Sequence, residues 1–572
     1  MKPLLTLLAF LALASEAPAA TPARGAAAGS GAPVLARGVV AAPEPVASEV
    51  GASILRAGGN AMDAAVAIQF ALAVTYPRAG NLGGGGFMLV HTDSGDVAID
   101  YRETAPAAAT RGMYLDAAGQ VVEGLSLDTH RAAGVPGSVA GMWLAHSRFG
   151  SLPWKRLLAP AIHIAERGWR IDARTAATFA DESRNNFRDY FHGAAGELLV
   201  QRELAATLRR ISERGPDGFS RGETARLIVE EMRRGGGLVT LEDLATYRPV
   251  VRVPVTGSYR GLRVVSMPPP SSGGVALIEM LNLLERYEPM RLIAEDYGNN
   301  FYVNPLRAGY VHLVAEIEKR VFADRAAYLG DPDFVSVPVE SLVSKSYAAR
   351  RATGISPEHR TPPDAIHCGA VAHESEQTTH FSIVDRHGNA VANTTTLNDS
   401  YGSGIVVRGA GFLLNNEMDD VSARPGAPNL YGVTGGEANA IAPGKRMLSS
   451  MCPTFVYRDG RLWLVLGTPG GPTIFTTVFQ VIVDRVDFGM PLADAVAAPR
   501  FHHQWPPRAA DSDPIDFERG HGPDAATRGA LEALGYVLRL REPIGDVQAI
   551  EIAGGFATGA SDPRGTGRVA TD

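Results

Sequence analysis

Apolar positions in the first two thirds of the chain recur mostly with the spacing of an α-helix. This spacing predicts an apolar helix over residues 61–74 and a long helix over residues 311–329. Three more helices, each with a basic last turn followed by glycine, are predicted over residues 157–167, 203–214 and 223–234. Strand-like stretches at residues 87–91 and 97–101 lie between these helices.

After residue 378 the pattern changes to the alternation that is typical of β-strands. Strands are predicted over residues 379–384, 390–396, 411–414, 454–457 and 462–466, and helices over residues 474–486 and 492–498. The Asp459-Gly460 pair is a hairpin-turn signal between two of these strands. Helices before and after a strand-rich middle predict stacked sheets covered by helical outer layers.

The first predicted hairpin begins with an unusual group of polar side chains. Gln377-Thr378-Thr379-His380 stands at the start of the strand, and a five-residue loop, residues 385–389, leads to the next strand. If Val384 lies opposite Ala390, Thr378 lies opposite Thr396. Cross-strand threonine pairs also occur for structural reasons alone, so the pairing leaves both readings of Thr378 open.

Cleavage of the chain before Thr378 would make this residue a reaction centre. A threonine hydroxyl is a weak nucleophile until a base takes its proton, and an N-terminal α-amino group, with a pKa of about 7.7–8.0, is such a base. The hydroxyl would first attack the carbonyl of Gln377, and hydrolysis of the resulting ester would free the new N-terminus. We therefore take Gln377 and Thr378 as a candidate cleavage site.

Composition sets few limits on function. The 572 residues are 45% hydrophobic and 20% charged, with a formal net charge of −7, which is ordinary for a globular protein with a large core. No long basic run is present, so we expect no nucleic-acid partner.

The N-terminus has the layout of a secretory signal peptide. Lys2 precedes an apolar run, residues 4–14, and small residues follow at Ala17-Pro18-Ala19-Ala20. A buried N-terminal helix is the alternative reading; the run is too short to span a bilayer. We predict a signal peptide over residues 1–20, a flexible Ala/Pro/Gly-rich leader over residues 21–45, and a periplasmic or secreted protein without a membrane anchor after signal cleavage.

Cysteine and histidine residues indicate no metal site. Cys368 and Cys452 form one disulfide or remain two free thiols, and neither stands in a zinc-binding spacing. His380, His502 and His503 show no ligand spacing either, so we predict structural histidines and no metal.

Eight segments taken together resemble the γ-glutamyltransferase (γ-glutamyltranspeptidase) family. They are NLGGGGFM (81–88), DYRETAP (100–106), MPPPSSGG (267–274), TTHFS (378–382), LNNEMDD (414–420), SSM (449–451), GTPGG (467–471) and GASDPR (559–564). They run in the family's order from about residue 35 to the end of the chain, so the resemblance covers nearly the whole mature protein.

The resemblance implies an α+β fold, the four-layer αββα sandwich of N-terminal nucleophile hydrolases. It also implies cleavage between Gln377 and Thr378. A helix-rich large subunit, residues 46–377, and a strand-rich small subunit, residues 378–572, would remain associated, because the strand-rich part cannot cover its sheets alone.

The resemblance further implies a role for each matching residue. Thr378 is the nucleophile, Thr396 the second threonine beside it, and Gly470 and Gly471 the oxyanion site. Arg102, Ser449 and Ser450 bind the substrate α-carboxylate, Asn398, Glu417 and Asp420 bind its α-ammonium group, and Tyr431, in the loop over residues 425–440, covers the pocket. Some relatives carry Gln at the position of Glu417.

Each of these residues also has a purely structural reading. Arg102 forms a surface ion pair with Glu103 in that reading, the two serines form a turn or cap, and Asp420 belongs to a loop or cap pair. The glycines form a turn, which is compatible with an oxyanion site.

The implied function is that of an exported γ-glutamyltransferase and glutathione hydrolase that needs no cofactor. The γ-glutamyl group of glutathione or a related compound would pass through an ester on Thr378 to water or to an amino acid or peptide amine. One alternative is a glutaryl or cephalosporin acylase, whose substrate lacks the α-amino group; retention of Arg102, Asn398 and Asp420 favours the glutamyl donor. Another is an exported binding protein on the same scaffold, against which the Gln377-Thr378 junction and Thr396 argue.

Overall fold

The computed structural model describes residues 35–297, 300–367, 377–424, 436–507 and 513–572. The predicted signal peptide, Cys368 and Tyr431 lie outside these ranges, as does most of the predicted covering loop. Cys452 is a buried free thiol.

The strands are β1 (Val39–Ala42), β2 (Gly85–Thr92), β3 (Gly95–Asp100), β4 (Trp169–Arg170), β5 (Leu198–Leu199), β6 (Val250–Arg252), β7 (Val255–Tyr259), β8 (Leu262–Ser266), β9 (Ala294–Tyr297), β10 (Asn300–Val303), β11 (Gln377–Val384), β12 (Ala390–Asn398), β13 (Thr454–Arg458), β14 (Arg461–Gly467), β15 (Phe501–His503), β16 (Pro514–Glu518), β17 (Val537–Arg541), β18 (Gln548–Ala553), β19 (Phe556–Ser561) and β20 (Arg568–Thr571).

The helices are α1 (Pro45–Arg56), α2 (Ala61–Thr75), α3 (Ser138–Phe149), α4 (Trp154–Arg167), α5 (Ala173–Asp181), α6 (Phe187–Tyr190), α7 (Arg202–Arg214), α8 (Asp217–Ser220), α9 (Gly222–Gly235), α10 (Leu241–Thr246), α11 (Gly273–Leu284), α12 (Met290–Ile293), α13 (Ala308–Tyr328), α14 (Val339–Leu342), α15 (Lys345–Ala352), α16 (Thr473–Val486), α17 (Leu492–Ala497) and α18 (Ala525–Ala533).

Two antiparallel sheets form the centre of the fold. The seven-stranded sheet has the order β20-β1-β11-β12-β2-β3-β6, and the six-stranded sheet has the order β19-β18-β14-β13-β8-β7. Each sheet therefore contains strands from both sides of residue 378. The two segments that cleavage would produce share both sheets.

Side chains alternate between the two faces of β11. Phe381 and Ile383 belong to the apolar core that includes α2, α3 and α4, whereas the Ser382 hydroxyl donates to the Gln548 carbonyl of the other sheet at 3.0 Å. Helices α11, α13 and α16 cover the outer face of the six-stranded sheet within a second core. The layers are thus helix, sheet, sheet, helix, which confirms the predicted α+β class and its αββα order.

Most predicted elements are present with shifts of a few residues. The helix predicted over residues 61–74 is α2, the one over residues 311–329 is α13, and the remaining predicted helices are α4, α7, α9, α16 and α17. The strand predicted over residues 411–414 is wrong. Gly409 and Gly411 have left-handed backbone angles (φ 77° and 74°) that fold the chain back, so this stretch makes only isolated bridges.

The boundary predicted for the flexible leader is also wrong, because part of residues 35–45 is a strand inside the larger sheet. Strand β1 pairs with β11 on one side and with β20 on the other. Val39 and Val40 are buried at 1% and 0% exposure. This short strand forms because β11 and β20 pair with it on both sides, although only two of its four residues are β-branched.

The predicted hairpin register is confirmed over most of its length. Val384 lies opposite Ala390, and the pairing continues in step to Thr379 opposite Thr395. A bulge then shifts the register, so that Gln377 lies opposite Asn398, whose φ is 77°. The predicted Thr378–Thr396 pair is therefore displaced: Thr378 lies in the bulge, and Thr396 pairs with Gly85 of β2.

Helix α13 buries charged side chains within the second core. Lys319, at 0% exposure, donates to Glu316 at 2.9 Å and to Asp513 at 2.7 Å. Buried charges are tolerated when they are paired in this way. Over the described ranges, no helix combines the length and the apolar character needed to cross a bilayer.

Asp385 fixes the hairpin turn to the helical layer. Its carboxylate accepts hydrogen bonds from the backbone N–H groups of His387 (2.8 Å), Asn389 (3.0 Å) and Ala61 (3.0 Å), the first residue of α2. The residue is 2% exposed, so water cannot replace these bonds.

We expect Asp385→Ala to destabilise the protein by about 1–3 kcal/mol, because it leaves buried N–H donors without an acceptor. Thermal unfolding followed by circular dichroism measures the effect. Asp93→Ala is the matched control, since Asp93 stands exposed in the β2–β3 turn and should change stability by less than about 0.5 kcal/mol. Equal melting temperatures for the two variants would contradict the role of Asp385.

Candidate active site

The start of β11 lies where three chain segments meet. Thr378 is 8% exposed. Asn398, opposite Gln377, donates its backbone N–H to Thr396 Oγ1 at 2.8 Å and its side-chain Nδ2 to the Asn416 carbonyl at 3.0 Å. Since Glu417 follows Asn416, the bulge is connected directly to the segment that carries the acidic site residues.

The glycine run before β2 allows close approach at this junction. A Cβ on Gly84 would lie 2.1 Å from the Thr396 carbonyl oxygen, and one on Gly85 would lie 2.5 Å from Glu103 Oε2. Asn81 donates to Thr395 Oγ1 (3.1 Å) and to the Thr396 carbonyl (2.8 Å). Asn81 is a positioning residue that the sequence analysis missed, although it is the first residue of the quoted glycine-rich segment.

Thr378 and Gly470 line the same cavity, which has a volume of about 260 Å³. Gly470 (φ 136°) and Gly471 (φ 56°) occupy backbone angles that favour glycine. The Gly470 carbonyl accepts from the Thr473 hydroxyl at 2.7 Å, where α16 begins. The positive end of a fourteen-residue helix thus lies beside Thr378.

Arg102 is buried among carboxyl groups. It is 1% exposed, and its guanidinium contacts Glu417 Oε1 and, at 2.6 Å, Asp420 Oδ2. It also donates to the backbone carbonyls of Met447 (3.3 Å) and Leu448 (3.2 Å). The nearest Glu103 oxygen is 3.8 Å away and equally buried, so the alternative of a surface ion pair with Glu103 is wrong.

The acidic groups of this cluster outnumber Arg102. Burial raises the pKa of Glu103 to about 7 and that of Asp420 to about 6, and it raises the pKa of Glu417 well above its ordinary value; Arg102 opposes all three shifts. Glu417 Oε2 and Asp420 Oδ1, in their ionised form, receive no N–H or O–H donor from any described residue. The cluster therefore has acceptor capacity for a cationic group.

The two serines lie between this cluster and α13. The Ser449 carbonyl accepts from the Ser272 hydroxyl at 2.8 Å, and Ser450 Oγ accepts from Arg325 at 3.4 Å. Arg325 is 1% exposed, also donates to Ser272 Oγ (2.7 Å), and lowers the pKa of Asp420. The sequence analysis missed Arg325, because the apolar period of its helix gave no sign of a buried cation.

His380 has hydroxyl neighbours on both ring nitrogens. Nδ1 lies 2.8 Å from Thr394 Oγ1 and Nε2 lies 3.1 Å from Ser382 Oγ. Burial lowers the pKa of His380 to about 3, so the ring is neutral at physiological pH. In the part of the chain that the structure describes, no three His, Cys, Asp or Glu side chains are grouped so that they could hold a metal ion.

The structure thus divides the candidate residues into two connected groups. Thr378 and Gly470 line one cavity; Arg102, Glu417 and Asp420 contact one another, with Ser449 and Ser450 alongside. Asn398 and Asn416 connect the groups through one hydrogen bond.

Comparison with known proteins gives a consistent family. The family model for gamma-glutamyltranspeptidase matches residues 47–571. The chain is 50% identical over 537 residues to a glutathione hydrolase proenzyme of Pseudomonas aeruginosa, covering 93% of this chain and 94% of that protein.

Two solved structures are similar over most of their own length. A cephalosporin acylase from Bacillus halodurans has a TM-score of 0.78 at 27% identity and covers 97% of this chain and 98% of its own. A gamma-glutamyltranspeptidase chain from Pseudomonas nitroreducens has a TM-score of 0.54 at 45% identity and covers 57% of this chain and 97% of its own.

The crowding of carboxyl groups around Arg102 gives a prediction on pH and stability. The folded protein favours protonated Glu417, whose pKa is raised. Protonation of Glu417 adds to the free energy of unfolding. This contribution is complete below the ordinary glutamate pKa and is lost as the pH rises through the raised pKa of the folded protein. Glu417→Gln stays neutral, so its melting temperature should exceed that of the wild type by about 2 °C near pH 8, with a smaller difference near pH 5.

Differential scanning fluorimetry across this pH range measures the difference. Glu123→Gln, at an exposed glutamate, is the matched control and should follow the wild type at every pH. If the melting temperatures of Glu417→Gln and the wild type changed in parallel with pH, ionisation of Glu417 would not destabilise the fold.

Proposed function

Since this chain belongs to the γ-glutamyltranspeptidase family, we propose that it hydrolyses glutathione and transfers the γ-glutamyl group to amines. It is an enzyme. In this proposal, the residues around Arg102 recognise the α-amino and α-carboxylate groups of the γ-glutamyl substrate. The acceptors are water and the free amines of amino acids or peptides. The predicted signal peptide supports export to the periplasm or the medium.

The charges around Arg102 are the observation that supports a γ-glutamyl compound as the donor. Arg102 carries a buried guanidinium, which a substrate carboxylate would share with Glu417 and Asp420, and the oxygens of these two residues that receive no hydrogen bond from a described residue lie next to it. A γ-glutamyl group has a carboxylate and an ammonium on the same carbon atom. Such a head group would place its carboxylate at Arg102 and its ammonium at the acidic oxygens, which relieves the excess of negative charge.

The reaction proceeds by nucleophilic catalysis at Thr378. After cleavage, its α-amino group takes the hydroxyl proton as Oγ attacks the γ-carbonyl carbon. The negative charge on the carbonyl oxygen develops beside Gly470, Gly471 and the positive end of α16. The proton passes to the leaving amine as the C–N bond breaks, which leaves a γ-glutamyl ester on Thr378. Water or an acceptor amine then attacks this ester.

The cleavage that frees the α-amino group falls between Gln377 and Thr378 in this proposal. The similar protein of Pseudomonas aeruginosa bears the name proenzyme, and the matched chain of the Pseudomonas nitroreducens structure covers 57% of this chain. Both observations support a division into a large subunit, residues 46–377, and a small subunit, residues 378–572. Because both sheets contain strands from each segment, the subunits would remain associated.

An acylase is the second candidate, because the cephalosporin acylase of Bacillus halodurans has the same fold. A glutaryl side chain has a carboxylate but no ammonium group. Such a substrate would leave Asp420 Oδ1 and Glu417 Oε2 buried and unpaired, which costs about 1–3 kcal/mol for each group. The acidic pair therefore favours the glutamyl donor.

Thr378→Ala should abolish two processes together, chain cleavage and γ-glutamyl hydrolysis, because it removes the hydroxyl that both require. A denaturing gel should show one full-length band, and glutamate release from glutathione should be undetectable. A protein that still splits before residue 378 or still hydrolyses glutathione would eliminate Thr378 as the nucleophile.

Thr379→Val is the matched control for this experiment. Thr379 is the next threonine on β11, is fully buried, and its hydroxyl has no hydrogen-bond partner among the described residues. Valine has nearly the same shape, and the hydroxyl that it removes makes no hydrogen bond with a described residue, so this variant should cleave and should keep its activity within about threefold.

Arg102→Lys should lower kcat/KM for glutathione about tenfold to a hundredfold while the chain still cleaves. Lysine keeps the charge but loses the planar fork that holds a carboxylate and the Met447 and Leu448 carbonyls. Arg111→Lys is the control, because Arg111 is 61% exposed and pairs with an exposed glutamate. Unchanged kcat/KM in Arg102→Lys would remove Arg102 from the donor site.

A further inference from the structure

Residues 447–450 lie between two buried guanidinium groups. At the start of this segment, Arg102 donates to two consecutive backbone carbonyls at 3.3 and 3.2 Å. At its end, Arg325 of α13 donates through Nη2 to Ser450 Oγ at 3.4 Å. Arg325 is 1% exposed. The serines proposed to bind the donor carboxylate are therefore next to a second buried cation.

The contact with Arg325 determines where the Ser450 hydroxyl proton points. This hydroxyl accepts from Arg325 and donates to no residue in the part of the chain that the structure describes. A serine hydroxyl has one proton, and the N–H groups of a guanidinium repel it, so the proton points away from Arg325. Ser450 is fully buried, and buried hydroxyl donors are normally paired. The hydroxyl is therefore a donor suited to a ligand carboxylate oxygen.

Ser272 connects Arg325 to the backbone of Ser449. Arg325 Nε donates to Ser272 Oγ at 2.7 Å, and the Ser272 hydroxyl donates to the Ser449 carbonyl at 2.8 Å. A hydroxyl that accepts from a cation is a stronger donor, so the first bond strengthens the second. The Ser449 hydroxyl accepts from the backbone N–H of Met451 at 3.3 Å and, like that of Ser450, donates to none of the described residues.

The backbone around Ser450 is fixed by close packing of two helices. Helix α11 begins directly after Ser272 and packs against α13. A Cβ on Gly273, the first residue of α11, would lie 2.4 Å from the Ser450 carbonyl oxygen. Because the backbone has so little room, the remaining freedom of Ser450 is rotation of its side chain, and Arg325 restricts that rotation.

We propose that Arg325 is a positioning residue for the donor substrate, which orients the Ser449 and Ser450 hydroxyls so that both donate to the α-carboxylate. The inference rests on the proposed function and extends it to a residue that acts through the serines rather than on the substrate itself. Arg102 then attracts the carboxylate by charge, and the serines fix its orientation with protons that Arg325 directs.

A double-mutant cycle on the cleaved enzyme tests whether Arg325 acts through Ser450. The kcat/KM for a chromogenic γ-glutamyl anilide is measured for Arg325→Met, Ser450→Ala and the double variant. Each single change should lower kcat/KM about tenfold, mainly by raising KM. The loss in the double variant should be at least about threefold smaller than the product of the two single losses.

The overlap is expected to be incomplete, because Arg325 also has an effect that does not involve Ser450. Its positive charge lowers the pKa of Asp420, as that of Arg102 does, against the effect of burial. Arg325→Lys keeps this charge but loses the planar fork that reaches Ser272 and Ser450 together. Its loss should therefore be smaller than that of Arg325→Met and should overlap more fully with that of Ser450→Ala.

Arg350→Met is the matched control, because it makes the same change at an exposed arginine of α15. It should keep the wild-type kcat/KM, alone and in the Ser450→Ala background. If Arg325→Met is not cleaved and gives no rate, Arg325→Lys takes its place in the cycle.

Single losses that multiply in the double variant would overturn the inference, as would an unchanged kcat/KM in Arg325→Met or Ser450→Ala. Failure of both Arg325 variants to cleave would assign this residue to assembly of the fold and would overturn it as well. The proposed function fails separately, in the wild type: an enzyme that releases no glutamate from γ-glutamyl donors is not the proposed hydrolase, whatever the variants do.

Discussion

The pairing of β11 with its two neighbouring strands is the constraint on which the site depends. β11 lies between β1 and β12 near the middle of the seven-stranded sheet, and its register is continuous up to Thr379. The bulge at Thr378 is where regular pairing ends and a polar junction begins. Because Asp385 holds one end of the hairpin to α2 and Asn398 holds the other to Asn416, the nucleophile cannot move independently of the sheet.

Local sequence patterns predicted the features that depend on neighbouring residues in the chain, namely hairpin register, turns and helix ends. The alternation around residue 384 was sufficient for the register, and the Asp459-Gly460 turn and the helices ending at Gly168 and Gly215 are present. Strand β1 was not predictable, because its place depends on partners more than 300 residues away in the sequence. The strand prediction for residues 411–414 was wrong because it relied on local apolar character. These apolar residues are buried by neighbouring parts of the fold and make only isolated bridges.

The candidate site was predictable as a set of residues but not as a set of contacts. Family resemblance supplied Arg102, Glu417 and Asp420, yet only the fold shows that one guanidinium faces three carboxyl groups. Arg325 stood in no motif that marks a charged site. Its contact with Ser450 depends on how helix α13 packs in the fold, which the sequence alone does not show.

Because the two segments share both sheets, the order of folding and cleavage affects how the protein is made and how long it remains folded. The Thr378 bulge is formed by β11 and β12, and β2 of the other segment pairs with β12 up to Thr396, so the proposed self-cleavage would occur in chains that have already folded, and the cut would mark a completed fold. Once cut, a molecule that unfolds becomes two separate diffusing chains. Its refolding would then depend on protein concentration, and its persistence would be governed by the rate of unfolding rather than by an equilibrium within one chain.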